Sequence, residues 1–417
     1  MTSSDPPARD PVPGRLHRNV WAAAGTSFLT DVSSEMLQNV LPLFLANVLG
    51  VRVWAVGVVE GVAETTASLL QLYSGWLSDR IGTRKWLAVA GYAVSASAKP
   101  FYWLAGSWGF VAGVRWADRV GKGVRSAPRD ALLADSVPIA RRGVAFGLHR
   151  AADTAGAVVG LLVTLAVVGA LQGRDALLLE GTFRTLVLWS LVPAFLAVAV
   201  LALGATDVPV PRAGDAPAPP RPTLRGFERP FLGFLAATAV FTLGNSSDAF
   251  LVLRAQERGL GVVSILWTLL AFNAVYAVVS TPAGALADRM PRVRVLLAGW
   301  ALYAIVYLGF ATVDTALGVV ILFSVYGAYH GLAAGAARAL VADLTPPERR
   351  GTAYGAYHAV VGLLALPASL IAGLLWQGFG AWHGLGPSAP FWFGAACAGV
   401  AGVLLLASVP GGGARRG

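Results

Sequence analysis

The chain predicts an all-α integral membrane protein that crosses the bilayer twelve times. Three observations carry that prediction. Of its 417 residues 56% are apolar and 13% charged, with a mean hydropathy of +0.64; a soluble protein usually carries about 25% charged residues. Apolar runs of about 20 residues, the length a helix needs to cross the hydrocarbon layer, recur along the whole chain. One signal also occurs twice, each time after a long apolar run. It reads G-x-x-x-D-R, first from Gly75 to Asp79 and Arg80, then from Gly284 to Asp288 and Arg289. One copy arises often by chance. Two copies in matching places mark a duplicated membrane domain, and such duplication points to transport.

The apolar runs place spans 1 to 6 near 20–49, 53–77, 86–104, 107–133, 144–170 and 183–204. Spans 7 to 12 follow near 230–253, 263–287, 295–312, 315–341, 352–378 and 389–409. Residues 1–19 are polar, lack the apolar core of a signal peptide and read as a solvated tail, and 410–417 read as a second tail. Between the sets, 205–229 is rich in Pro and Ala and carries Arg212, Arg221, Arg225 and Arg229, the composition of a linker. Loops on the linker side hold most of the Lys and Arg, such as Arg80, Arg84, Lys85, Arg141, Arg142, Arg349 and Arg350, against Arg52, Arg174 and Arg258 opposite. That bias puts both termini and the linker in the cytoplasm. The net charge of +10 therefore reflects topology and does not suggest nucleic acid as a partner. The single cysteine, Cys397, lies in the last run, so no intrachain disulfide can form.

The halves match beyond the opening signal. The stretch from Asp135 through Pro138 to Arg141, Arg142 and Gly143 corresponds to Asp343, Pro346, Arg349, Arg350 and Gly351. Ser33-Ser34-Glu35 in span 1 corresponds to Ser246-Ser247-Asp248 in span 7. With the form G-x-x-x-D-R-x-G-x-R-K after span 2, and D-x-x-P-x-x-R-R-G after span 4, the chain resembles the major facilitator superfamily from residue 20 to 409. The resemblance implies two pseudo-symmetric six-helix bundles, 20–204 and 230–409, around a central cavity that opens to alternate sides. It also implies a gating group of Gly75, Asp79, Arg80, Gly82, Arg84, Asp288 and Arg289. An Asp at a helix end can hold a neighbouring helix N-terminus or an Arg, and that link must break for one side to open. The second copy has Pro291 where the first has Gly82, which predicts a stiffer loop. Gly75 and Gly82 are expected to serve packing and turning.

Ionisable groups at membrane depth bear on substrate and energy source, because each costs about 2.5–3.5 kcal/mol to insert. In span 1, Ser27, Asp31, Ser34 and Gln38 share one helix face with Glu35 beside it, and span 2 carries Glu60, Glu64, Ser68 and Gln71. Four acids on two adjacent spans repel one another when all are ionised, so at least one is expected to hold a proton. Asp31, Glu35, Glu60 and Glu64 are therefore the candidate proton-coupling group, with Asp31 nearest mid-membrane. Span 4 carries Arg115, Asp118, Arg119, Lys122, Arg125 and Arg129; span 5 adds His149, Arg150 and Asp153; span 3 adds Lys99. Arg115 with Asp118, Asp118 with Lys122, and Arg150 with Asp153 have the spacing of neutralising pairs within one helix, and Lys99 could reach the membrane surface. The second half is mostly neutral where the first is charged: Asn273 aligns with Glu64, His330 with Lys122 and His358 with Arg150. The expected substrate contacts are Lys122, Arg125 and Arg150 from the first half, and Asn245, Asp248, Asn273, Tyr326 and His330 from the second.

No nucleotide-binding loop, metal-ligating Cys/His cluster or nucleophile motif occurs, so ATP-driven pumping and enzymatic catalysis are excluded and no cofactor is expected. Two readings remain. One is a proton-coupled exporter of small organic molecules in the plasma membrane of a bacterium, working as a monomer on the proton gradient. The other is a carrier of organic anions or metal chelates that uses the bases of span 4. In either case Asp79→Asn is expected to nearly abolish transport in proteoliposomes while leaving expression and folding intact. Near-normal transport by that variant would remove Asp79 from the gate.

Overall fold

The computed structural model describes residues 16–81, 83–138, 141–173, 175–208, 227–346 and 349–409. Among these residues the chain is helical almost throughout, with no strand. Twelve helical columns follow the predicted spans. Spans 2, 4, 5 and 6 are the helices Val53–Ile81, Trp108–Asp135, Arg142–Gln172 and Glu180–Gly204. Spans 8 to 12 are Val262–Arg289, Arg292–Thr312, Ala316–Asp343, Arg350–Gln377 and Ala389–Ser408. The remaining three are interrupted. Span 1 runs over Arg18–Gln38, breaks at Asn39 and Val40 ahead of Pro42, and resumes over Leu41–Leu43 and the wider turn Phe44–Val48. Proline removes a backbone donor and clashes with the preceding turn, which accounts for that break. Span 3 is the helix Lys85–Ala98, tightening at Lys99 and Pro100 into the narrower turn Lys99–Leu104. Span 7 stops at Gly244 and restarts at Ala249.

Nine helices among the described residues are long and apolar enough to cross a membrane unaided. Those of spans 1, 3 and 4 are not, span 3 because its α-helix is 14 residues long and spans 1 and 4 because of their charge. Span 1 carries Asp31 and Glu35, span 3 ends its α-helix at Lys99, and span 4 carries a ladder of charge. Such helices can sit in a bilayer only where neighbours shield them. Accordingly span 4 packs against spans 2 and 3, and span 1 packs against spans 5 and 6. Span 5 comes close to span 1 through its glycines: a Cβ on Gly160 would lie 2.6 Å from the carbonyl oxygen of Val32. In the second half, span 8 packs on span 10, span 9 on spans 10 and 12, and span 7 on spans 11 and 12. Aromatic stacking is dense there, for example Phe241 on Trp300 at 4.7 Å and Tyr303 on Tyr307 at 4.0 Å between ring centres.

The two sets of helices meet through spans 2 and 11 and through spans 5 and 8. Span 2 lies close along span 11 toward the end opposite the linker. The Gln377 side chain accepts from the Val53 backbone N–H at 2.7 Å, capping span 2, and Thr65 donates to the Gly362 carbonyl at 2.7 Å. Spans 5 and 8 approach at the same end, where a Cβ on Gly261 would lie 3.4 Å from the Ala176 Cα. The start of the linker is fastened at the other end. Asn19 exchanges hydrogen bonds with the Thr206 backbone at 2.8 and 2.9 Å, and Asp207 accepts from the Arg84 and Lys85 backbone N–H groups at the start of span 3.

At Gly61 a Cβ would lie 2.8 Å from the Leu366 Cα on span 11, a backbone contact that cannot yield without moving the helices apart. Gly61→Val is expected to lower the melting temperature and reduce transport severalfold. Gly113→Ala, with nothing within 4 Å of the added carbon, should leave both unchanged. Equal behaviour of the two variants in a melting and flux assay would show that the contact between spans 2 and 11 is not under constraint.

Candidate functional site

A cavity of about 560 Å³ lies between the two sets of helices, within the range of small-molecule sites. Its two walls differ in chemistry. Glu35, Gln38 and Asn39 of span 1, Glu60 and Glu64 of span 2, and Arg115 and Arg119 of span 4 form the first-half wall. Phe241, Asn245 and Asp248 of span 7, with Phe272, Trp300 and Tyr326, dominate the other.

The charged wall follows from span 4. Its bases and Asp118 recur every three or four residues and so share one helix face, and the acids of span 2 meet that face. Arg115 Nη2 lies 2.8 Å from Glu60 Oε2, both side chains being 7% exposed, and Arg115 Nη1 lies 3.9 Å from Asp118. Arg119 Nη1 lies 3.2 Å from Glu64 Oε1, and Lys122 Nζ lies 3.9 Å from the same oxygen. Glu35 accepts instead from two neutral amides, those of Gln38 and Asn39, the latter at 2.6 Å. The Arg115–Asp118 pair expected from spacing is present but secondary to Glu60. Lys122 faces Glu64 and not Asp118. Arg150 faces Tyr276, and Asp153 lies 3.6 Å from His149 Nδ1.

Spans 1 and 2 do not pack along each other, contrary to the expectation of adjacent spans. The bases of span 4 stand against the acids of span 2, so Glu60 and Glu64 are each held by positive charge, whereas Asp31 and Glu35 remain neighbours on span 1. Nearer the linker, Asp31 has Asp153, Glu35, Arg125 and Arg129 as charged neighbours. There His149 Nε2 lies 2.7 Å from Ser27 Oγ, and Arg129 donates to Asp130 at 2.8 Å and to the Tyr92 hydroxyl at 3.4 Å. Asp31 is not part of the cavity wall, whereas Glu35, Glu60 and Glu64 are. Lys99 does not reach the membrane surface. It is 4% exposed and turns inward to the hydroxyls of Ser33 at 2.5 Å and Ser34 at 3.2 Å.

Of the expected substrate contacts, Asn245, Asp248, Asn273, Tyr326 and His330 line the cavity. Lys122 and Arg125 do not, and the Arg125 guanidinium covers the Tyr92 ring at 4.4 Å. Arg150 lines a smaller hollow of about 160 Å³ with Tyr276, Ser280, His330 and Arg338, and donates to the Tyr276 hydroxyl at 2.5 Å. The bases that do line the cavity are Arg115 and Arg119. Phe241 and Trp300 escaped sequence reasoning; the available signal was the position of Phe241 one helical turn before Asn245.

In the gating group, Gly82 and the side chains of Asp79 and Asp288 lie outside the described residues. Arg84 Nε lies 2.9 Å from Asp135 at the end of span 4. The matching residues of the second half repeat that contact, with Arg292 Nη1 2.5 Å from Asp343. Each loop is thus tied to its own half. Arg80 lies over the Trp76 ring at 5.3 Å, and both Arg80 and Arg289 are exposed.

Comparison with known proteins agrees with this architecture. The family profile of the Major Facilitator Superfamily matches residues 23–266 and 230–416. An uncharacterized MFS-type transporter of Methanocaldococcus jannaschii is 34% identical over 403 residues, covering 94% of this chain and 95% of the relative. An uncharacterized protein of Mycobacterium tuberculosis is 30% identical over 360 residues, 84% of each chain. Among solved structures, the nucleoside transporter NupG superposes with a TM-score of 0.77 at 12% identity, covering 94% of this chain and 99% of that one. A D-xylose-proton symporter gives 0.73 at 16%, covering 94% and 98%. The chain belongs to the major facilitator superfamily: it is a multi-pass membrane transporter and not an enzyme.

Removing one member of a buried ion pair leaves the other charge uncompensated, which costs about 3–5 kcal/mol. Arg115→Leu is therefore expected to destabilise the protein strongly, and Glu60→Leu added to it should restore much of the loss. Thermal melting of both variants in detergent checks this. A double variant no more stable than the single would show that Arg115 acts through something other than Glu60.

Proposed function

We propose that the protein is a proton-coupled exporter of small organic molecules, with the central cavity as its substrate site. The reading rests above all on that cavity, which holds carboxylates at membrane depth on one wall and an aromatic surface on the other. Bundles of residues 20–204 and 230–409 would rock about it, opening it to either side in turn. Both termini would lie in the cytoplasm of a bacterial cell and the working unit would be a monomer, the first on the distribution of Lys and Arg. The energy source would be the proton gradient.

Within the proposed coupling group the four acids take different parts. Glu60 and Glu64 are each matched to an Arg, which favours a positioning role. Among the described residues Glu35 accepts hydrogen bonds from amides and makes no ion pair, and Asp31 has acids as well as bases around it, so these two are the proposed proton carriers. The alternative, a carrier of organic anions or metal chelates, would need free positive charge in the cavity wall. Glu60 and Glu64 occupy the guanidinium groups of Arg115 and Arg119, which weighs against it. Asp79, Arg80, Arg84, Asp288 and Arg289 are proposed to control closure on the linker side.

Asp31→Asn and Glu35→Gln mimic the protonated form permanently. One of them is expected to abolish uphill transport driven by a pH gradient while leaving downhill exchange partly intact. Measuring both fluxes on one proteoliposome preparation, after a solute screen, decides the matter. Uphill transport by both variants with the parental pH dependence would remove proton coupling from span 1.

A further inference from the structure

The second-half wall holds a charge of its own. Span 7 leaves its helix at Gly244 and resumes at Ala249, which brings Asn245 and Asp248 to the cavity surface. Asp248 precedes the second helical piece, yet its side chain does not cap it. That carboxylate is exposed to the cavity and accepts a hydrogen bond from the Tyr326 hydroxyl at 3.0 Å. Among the described residues no Lys or Arg pairs with it, whereas Glu60 and Glu64 opposite each hold an Arg. One turn earlier, Asn245 presents an amide oxygen that is buried and receives no donor. Both groups are acceptors, and neither has a positive partner.

Aromatic rings surround them. Phe241 stacks on Trp300 at 4.7 Å, Tyr326 on Tyr329 at 5.3 Å, and Phe272 on Tyr326 at 5.8 Å between ring centres. Ring faces carry negative partial charge and attract cations. The lining carries more acid than base: Glu35, Glu60, Glu64 and Asp248 against Arg115 and Arg119. An anion would meet an unpaired carboxylate, and a neutral molecule would shut that carboxylate away from water without a counter-charge, which is costly. A protonated amine on an apolar body answers both demands.

We propose that the cavity recognises an organic ammonium ion. Its N–H groups bond to Asp248 and, once the Asn245 side chain turns toward the cavity, to the amide oxygen, and its apolar body lies against Phe241, Phe272, Trp300 and Tyr326. This inference rests on the cavity being the substrate site and adds to that reading the charge of the substrate and the residue that selects it.

Three probes of one shape test it: phenylethylammonium, phenylethanol and phenylacetate, each titrated by calorimetry into the purified full-length protein in lipid nanodiscs. Ammonium is expected to bind about ten times more tightly than the alcohol, as one desolvated charge contact supplies, with phenylacetate the weakest. Asp248→Asn should bring the ammonium down to the affinity of the alcohol and leave the alcohol unchanged. If that variant loses its native gel-filtration profile, Asn245→Ala carries the test, since it should weaken the ammonium about fivefold and the alcohol not at all. Equal binding of ammonium and alcohol, tighter binding of phenylacetate, absence of ammonium binding, or a preference that survives both substitutions would overturn the proposal. Phe241→Ala separates the two levels of argument. If the three probes bind alike and that variant weakens all of them, the cavity remains the site and only the charge assignment falls. If it weakens none, the cavity itself is not where these molecules bind.

Discussion

A charge in a bilayer must find a partner, and that constraint organises this molecule. Span 4 carries five bases and one acid between Arg115 and Arg129, a burden no lipid-facing helix could carry. It can exist only in the interior of its half, with acids brought to it by other helices. Glu60 and Glu64 of span 2 supply two, while Ser95 of span 3 donates to Asp118 and anchors the acid of span 4 itself. The arrangement of the first half follows: spans 2 and 3 flank span 4, and span 1 presents its polar face inward. The more apolar spans 5 and 6 complete the half.

The second half has no such ladder, and its interior is built differently. Where the first half has Lys122 and Glu64, the second has His330 and Asn273, and the space is filled by Tyr303, Tyr307, Tyr326 and Tyr329 in mutual contact. Among the described residues, the one carboxylate of that half that reaches the cavity, Asp248, is held by a tyrosine hydroxyl. Arg254, deeper in span 7, is fully committed: it donates to the Phe310 carbonyl at 2.9 and 3.0 Å and lies 2.7 Å from Glu257. Duplication therefore produced two halves of one shape and two chemistries. One wall of the cavity is internally neutralised and the other is aromatic with an open carboxylate.

How much of this could be read from the chain depends on the range of the interaction. The spans were legible because crossing hydrocarbon imposes a length and an apolar content on contiguous residues. The breaks in spans 1 and 3 had a local signal in Pro42 and Pro100. Charge pairing was less legible, because spacing along a helix suggests partners three or four residues away. Arg115 illustrates the failure: Asp118, its neighbour by spacing, lies at 3.9 Å, while Glu60, 55 positions earlier, lies at 2.8 Å. The same applies to Arg150, which bypasses Asp153 for Tyr276 on the other half. Lys99 turned inward because the hydroxyls of Ser33 and Ser34 were within reach, which only the packing of spans 1 and 3 reveals. Of the four acids read as one group, Glu60 and Glu64 proved to be held by the bases of span 4, while Asp31 and Glu35 stayed together on span 1.

The distribution of strong and weak contacts bears on motion. The ion pairs named above lie within one half, including Arg84 with Asp135 and its counterpart Arg292 with Asp343. Among the described residues, the hydrogen bonds between the halves are of another kind. Thr65 with Gly362 and Val53 with Gln377 are single hydrogen bonds between neutral groups, and Arg150 with Tyr276 joins one charge to a neutral hydroxyl. Neutral bonds of that type contribute about 0.5–1.5 kcal/mol each, whereas separating a buried ion pair costs several times more. A relative rotation of the halves would therefore break the cheap contacts and leave the costly ones intact. The pairing that lets span 4 exist in a membrane also makes its half stiff enough to move as one body.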